Sequence, residues 1–254
     1  MMTALHGIVL RRKKDGEADL LIWLLAEDGI VYNLRFHGIE QSKSRSAQST
    51  EIGCVIDVRA NMRSETAGSV KEASVKERFE NWKGGYRSLA LLSSVLEFVQ
   101  GVASAGEPGE MYRLLLGALR EGERNPAAFT PVGSSIFFSA LRLRGLAGAG
   151  LMGDCAHCAN CGERLGQKAR WIVPDLSFLC ESCAEDPCDL DARLAGTMER
   201  ILQEPFSKLA ATRADDAYKD HLQELAERLS ACVRFALPFP SPAADALIGG
   251  EQRK

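Results

Sequence analysis

Positive charge is not in excess in this sequence: 31 Lys and Arg face 34 Asp and Glu, a formal net charge of −3. A chain so balanced has no global pull on a polyanion, so any nucleic-acid surface must be a local cluster. Histidine is scarce. The four, at positions 6, 37, 157 and 221, stand apart and form no His-Glu-x-x-His pair. There is no Gly-x4-Gly-Lys-Ser/Thr phosphate loop and no Gly-x-Ser-x-Gly elbow. The carboxylates are scattered along helix faces and assemble no magnesium cluster. Together these absences read as a protein that is not an enzyme. No apolar run approaches the ~20 residues of a membrane span. The opening, Met1-Met-Thr-Ala-Leu-His6, has no charged region ahead of an apolar one. Without an export signal, the eight cysteines are expected as reduced thiols in the cytoplasm rather than as a disulfide framework.

What the sequence does contain is a pair of cysteine knuckles. Cys158-Ala-Asn-Cys161-Gly162 is followed by Cys180-Glu-Ser-Cys183, and two Cys-x-x-Cys units supply the four thiolates that a tetrahedral zinc ion takes. Gly162 permits the positive φ that closes such a turn. Between the knuckles, Ala169 to Leu179 reads as two short strands around Pro174-Asp175, the body of a zinc ribbon. Cys155, His157 and Cys188 lie close enough in sequence to substitute for a ligand. Cys158 and Cys161 are preferred because they open the hairpin and precede Gly162. Four sulfurs fill the coordination shell, so one structural Zn2+ per chain is expected, with no open position for catalysis. Four thiolates and one divalent cation would add two further negative charges to the chain.

The 254 residues change period once. Gly7–Leu10, Ala18–Leu25, Ile30–Phe36, Ile52–Ala60 and Val70–Val75 read as five short strands, the second apolar enough to be buried on both faces or to lie at a barrel seam, and Arg11–Gly16 forming a charged turn. Five strands in so short a stretch indicate a small closed barrel, of which the OB-fold is the commonest. After Trp82 the spacing becomes helical: Leu89, Leu92, Leu96 and Val99, then Met111, Leu115, Ala118 and Leu119, then Ser134 to Leu146, with two more amphipathic helices beyond the ribbon. The expected fold is α+β and multidomain. An OB-fold β-barrel over residues 1–81 precedes an all-α domain over 82–254, which carries the ribbon at about 155–188.

Residues 1 to 80 hold twelve basic and twelve acidic side chains, so only clusters there favour DNA. Arg11, Arg12, Lys13 and Lys14 follow the first strand. Lys43 and Arg45 lie in a polar loop after the third, and Arg35 is near. On one barrel groove these seven could follow a phosphate backbone, with Trp23, Tyr32 or Phe36 stacking on bases. The same aromatics alternate with polar residues as core residues do. Arg164, Lys168 and Arg170 beside the knuckles compensate the thiolate charge. A zinc-stabilised scaffold that contacts only proteins is the competing reading.

The order of parts resembles the RecO family of bacterial DNA-repair and recombination-mediator proteins. Gly7-Ile-Val-Leu-Arg11 with Gly16-Glu-Ala-Asp19 is similar to the family's opening. Gly29-Ile-Val-Tyr and Ser42-Lys-Ser-Arg45 are similar to its third strand and basic loop. Leu143-Arg144 up to Gly150, the two knuckles, and Pro205-Phe-Ser-Lys-Leu209 resemble later segments. The resemblance implies binding of single- and double-stranded DNA, strand annealing, and loading of recombinase onto covered strands in the RecFOR pathway. The implied partners are RecR and the acidic C-terminal tail of single-stranded-DNA-binding protein. That tail would need a cation at the mouth of an apolar pocket, for which Arg142 and Arg144 are the candidates.

Overall fold

The N-terminal alternation pairs into five strands: β1 (Met2–Lys14), β2 (Leu20–Ala26), β3 (Val31–Phe36), β4 (Val55–Met62) and β5 (Ala67–Glu77). The computed structural model describes residues 1–39, 47–103, 106–172, 177–210 and 216–236. The strands close in the order β1-β2-β3-β5-β4, with β4 hydrogen-bonded back to β1. Every neighbouring pair is antiparallel except β3 and β5. This is the OB-fold barrel. Alternation sends Leu20, Ile22 and Leu24 of β2, Tyr32, Leu34 and Phe36 of β3, and Ile56, Val58 and Ala60 of β4 into one core.

Two expectations about the first strands need correction. Arg11 to Lys14 form no turn; they are the last residues of β1, paired to β2 as far as Lys14 and Leu20. The turn comes afterwards, where Asp15 N–H donates to Asp19 O at 2.9 Å. The inward Leu20 and Ile22 of β2 need a partner strand for their backbone groups, and exposed cations suit that partner because they blunt its outer edge. The second strand is buried on both faces only over Leu24, Leu25 and Ala26. Leu21 and Trp23 are only half-buried, out of phase with the buried Ile22 and Leu24, so β2 has an outward face.

By packing, the chain divides into two compact units, Met1–Glu123 and Arg124–Lys254. The change from strand to helix comes between β5 and α1 (Tyr86–Val102), whereas unit 1 continues through α1 and most of α2 (Glu110–Arg124). α1 buries Leu91, Leu92, Val95, Leu96, Phe98, Val99 and Val102, but Leu89 is 43% exposed, so the packed face is rotated from the one the spacing indicated. Trp82 is fully buried in unit 1 and donates its indole N–H to Leu119 O at 2.9 Å. The β2–β3 turn meets the start of α2 at two glycines with positive φ. A Cβ on Gly29 would lie 2.5 Å from Gly109 N, and one on Gly109 the same distance from Glu27 O.

In unit 2, α3 (Pro131–Gly148) is the centre. Thr130 caps it by accepting from Gly133 N–H at 3.1 Å, with Pro131 in the first turn. It ends where Leu151 N–H reaches Leu146 O at 2.9 Å and Gly150 N–H reaches Ala147 O at 3.0 Å, a Schellman closure made possible by Gly150 at φ +68°. Ile136, Phe137, Phe138, Leu141, Leu143 and Leu146 are all buried. Packed on α3 are α4 (Ala192–Gln203), α5 (Phe206–Ala210) and α6 (Asp216–Ala236). The ribbon strands β6 (Lys168–Ile172) and β7 (Ser177–Cys180) form a hairpin whose Pro174-Asp175 turn lies outside the described residues. A third strand, β8 (Leu190–Asp191), which the sequence did not announce, pairs with β6.

Asp189 joins this ribbon to α6. It accepts the Trp171 N–H at 3.0 Å and an Arg228 N–H at 2.8 Å, and a second Arg228 N–H reaches the Asp189 carbonyl at 2.6 Å. The Arg228 guanidinium also lies 5.7 Å from the Trp171 ring centroid. Burial pushes the Asp189 carboxyl up, but the Trp171 amide and Arg228 more than reverse this and hold it below its ordinary value. Among the described residues no helix is long and apolar enough to cross a membrane.

Two stability predictions arise from this packing. A Cβ at Gly122 would stand 2.4 Å from Cζ2 of the immobile Trp82 ring, so Gly122→Ala is expected to cost ~1–3 kcal/mol, read as a lower urea midpoint by tryptophan fluorescence. The depressed Asp189 carboxyl adds stability that is complete above the ordinary aspartate value of about 4 and is lost as pH falls through the lower folded value. Asp189→Asn should therefore lower the urea midpoint near neutral pH and flatten its decline on the acid side. Parallel acid limbs in variant and wild type would contradict that.

Candidate metal centre and basic barrel face

Cys158, Cys161, Cys180 and Cys183 come together in the ribbon, their sulfurs all within 4.8 Å of one another. Local backbone chemistry shapes both knuckles. Gly162, at φ +73°, donates to Cys158 O at 2.9 Å, and Cys183 and Ala184 donate to Cys180 O at 3.1 and 3.0 Å. Ala159 N–H to Phe178 O at 2.8 Å ties the first knuckle to β7. Cys158 and Cys180 are buried, Cys183 half-buried and Cys161 exposed. The amides of Cys161 and Cys180 point at the Cys158 sulfur and bring its thiol down to about 6. Cys161 goes the other way, to about 12. The Glu163 amide favours its thiolate, but the neighbouring sulfurs, Cys158 foremost, outweigh it. Four sulfurs this close cannot all ionise unless a cation sits among them, and the set can hold one tetrahedral ion.

The three possible substitutes stand outside this cluster. Cys155 is buried, and burial pushes its thiol up. His157 turns Nδ1 to Asp154 at 2.6 Å. Cys188 is half-buried, its thiol also raised by burial.

On the barrel, strand register gathers the basic residues into rows. Cross-strand partners share a face, so Arg11, Trp23, Asn33 and Ala67 form one outward row across β1, β2, β3 and β5. Lys13, Leu21, Arg35 and Ser69 form the next, ~7 Å along the strands. The Arg11 guanidinium lies 5.0 Å from the Trp23 ring centroid. Arg35 is paired with Asp15 at 2.5 Å. Arg12 and Lys14 occupy the alternate positions of β1 and are exposed. Lys43 and Arg45 lie outside the described residues. Of the three aromatics, Tyr32 and Phe36 belong to the core and only Trp23 faces outward. Its phase against Ile22 and Leu24 was the available signal. The carboxylates Glu27, Asp57 and Glu72 line a different part of the barrel, with His6 and Arg59. There His6 Nδ1 is 2.5 Å from Asp57, whose carboxyl is held below its ordinary value by Lys76 and His6.

Arg142 is buried and Arg144 half-buried, and both guanidiniums are already engaged within unit 2. Arg142 is 3% exposed, donates to Ser230 at 2.8 Å and lies 4.1 Å from the Phe138 ring centroid. Arg144 donates to Ile201 O at 2.9 and 2.7 Å and to Glu204 O, with Phe206 4.3 Å away. Both guanidiniums brace helices inside unit 2: Arg142 ties α3 to α6, and Arg144 satisfies the carbonyls at the end of α4.

Comparison with known proteins agrees with this architecture. Residues 1–79 match the family described as Recombination protein O N terminal, and residues 85–232 match Recombination protein O C terminal. The chain is 30% identical to the DNA repair protein RecO of Leptospira biflexa serovar Patoc over 181 residues, 70% of each chain. It is 24% identical to that of Rubrobacter xylanophilus over 222 residues, 87% of each. With that of Dehalococcoides mccartyi it shares 21% over 237 residues, 91% of this chain and 89% of the relative. A five-stranded barrel, a helical unit with a four-cysteine cluster, and two family matches that together span most of the sequence make this chain a member of the RecO family of DNA repair proteins.

Proposed function

We propose that this chain is a non-enzymatic recombination mediator that binds single- and double-stranded DNA along the outward face of β1, β2 and β3. The carrying observation is the pair of rows that set Arg11, Lys13 and Arg35 around Trp23. Three cations spaced along two strands neutralise phosphates, and an outward indole offers a base a stacking surface, neither of which reads sequence. Arg35 would exchange Asp15 for a phosphate. Arg12 and Lys14, on the alternate positions of β1, and Lys43 and Arg45, named from the sequence, are proposed as further phosphate contacts. Strand annealing, pairing with RecR, contact with the acidic tail of single-stranded-DNA-binding protein and loading of recombinase enter from family membership, with a cytoplasmic, nucleoid-associated location. No residue is assigned to the tail, because Arg142 and Arg144 are engaged internally.

The ion in unit 2 is proposed to be structural zinc. A tetrahedron with Zn–S bonds of ~2.3 Å has edges of ~3.8 Å, and Cys161 and Cys180 stand 3.8 Å apart. Bound there, zinc would neutralise the crowded thiolates and tie the first knuckle to the β6–β7 hairpin. One zinc per chain is expected by elemental analysis, retained in Cys155→Ser and Cys188→Ser. It should be lost in Cys158→Ser and Cys180→Ser, with the ribbon becoming protease-sensitive while the barrel persists. Stoichiometric zinc in Cys158→Ser would overturn the ligand assignment.

The DNA reading is tested by fluorescence anisotropy with labelled oligothymidylate at several salt concentrations. Affinity should fall log-linearly with salt, and Lys13→Ala should make that slope shallower by about one unit. Undetectable binding even at low salt would favour a scaffold that works through protein contacts.

A further inference from the structure

Beside the outward face of the barrel lies a second concavity that sequence reading did not find. It is a groove of about 400 Å³ between the end of β1 and helix α1, lined by Leu10, Arg11, Arg12, Ile52, Ser93, Leu96, Glu97 and Gln100. Its origin is a β-bulge. The β1–β2 register slips between Val9 and Arg11, leaving Leu10 unmatched by a partner residue. On the other edge, pairing to β4 ends at Ile8. β1 therefore runs on past the barrel wall, and α1 lies alongside it.

Three features say what fits. The floor is apolar, made by Leu10, Ile52 and Leu96, and the α1 side is polar, with Ser93 and Gln100 beside an already engaged Glu97. Two guanidiniums, Arg11 and Arg12, stand at the β1 side, and among the described residues Arg12 has no carboxylate partner. Arg11 also covers Trp23, so the groove is continuous with the face already described. Along α1, Ser93, Leu89 and Tyr86 follow one another on one helix face at i−4 and i−7. Leu89 is 43% exposed and Tyr86, preceded by Gly84 and Gly85, is 88% exposed. Tyr86 lies ~10 Å along the axis from Ser93, so an aromatic ring waits beyond the groove.

We infer that this groove takes one unpaired nucleotide of a single strand, its base on the Leu10–Ile52–Leu96 floor and its phosphate at Arg11 and Arg12, and that Tyr86 stacks on a base farther along. The inference rests on the DNA-binding reading of the barrel face and deepens it. The outward rows hold phosphates of any DNA, whereas the groove admits only a base that is out of a duplex, so it favours single strands over duplex. An apolar floor rewards a desolvated base face, and two cations at its rim suit a polyanion.

The test uses the full chain in two variants, neither of which removes a buried side chain. Ser93→Trp fills the groove from its half-exposed α1 side, and Tyr86→Ala removes the exposed ring. Circular dichroism melts check that both fold. Anisotropy is then read with labelled oligothymidylate and with a duplex of equal length at one salt concentration. Each variant is expected to lose roughly ten-fold in single-strand affinity and to keep duplex affinity within about two-fold. Unchanged single-strand affinity, or an equal loss on both DNAs, would overturn the groove assignment while leaving the barrel face intact. Failure of the wild type to bind either DNA would remove the barrel-face reading, and the groove with it.

Discussion

Closure of the barrel through β1 is the constraint on which the rest of unit 1 depends. This one strand pairs with β2 along one edge and with β4 along the other, so the sheet has no free end over that stretch. Once closed, the barrel allows each strand only two directions for its side chains. Filling the interior with Ile22, Leu24 and Leu34 obliges Trp23, Asn33 and Arg35 to face out. A slip of one residue in β2 would bury Trp23 and Leu21 and expel the core. The outward chemistry is thus a by-product of packing apolar side chains on the inside. The same strand continues past the barrel wall, where four consecutive cations guard an edge that would otherwise invite pairing with another chain.

Unit 2 solves a different problem, because a small ribbon has too little apolar area to hold itself together. Sulfur crowding is its resource. Backbone amides favour the thiolate at Cys158 while the neighbouring sulfurs oppose it at Cys161, and a cation held among them would let all four ionise. The ribbon is then held to the helices through Asp189, which serves Trp171 and Arg228 together. Arginine recurs here as an internal brace: Arg142, Arg144 and Arg228 each combine a hydrogen bond with an aromatic face. The planar guanidinium can be desolvated against a ring while its edge still donates, which an ammonium does less well.

The net negative charge of this DNA-repair family member leaves room for a local basic face on this plan. Over residues 1–80 the charges balance, but the register separates them. Arg11, Lys13 and Arg35 lie in the outward rows of β1, β2 and β3, whereas Glu27, Asp57 and Glu72 line the region of β1, β4 and β5. Exposed charges more than a Debye length apart, ~8 Å at physiological salt, are largely screened from one another, so a phosphate at one face feels little of the other.

The sequence by itself determined the strand and helix periods, the five-stranded barrel, and the two knuckles whose four cysteines come together, because each is a local pattern: alternation, a 3.6-residue repeat, a fixed spacing. It could not settle which cations face outward. Arg11 to Lys14 read as a turn until pairing with β2 extended the strand, and Arg142 and Arg144 read as candidate cations for an acidic tail, whereas the structure engages them with α6 and with the end of α4. Leu89 likewise fitted the apolar face of its helix and lies outside it. Register, bulge position and helix rotation are decided by partners distant in the chain, so only the tertiary structure fixes where a charged or aromatic side chain points.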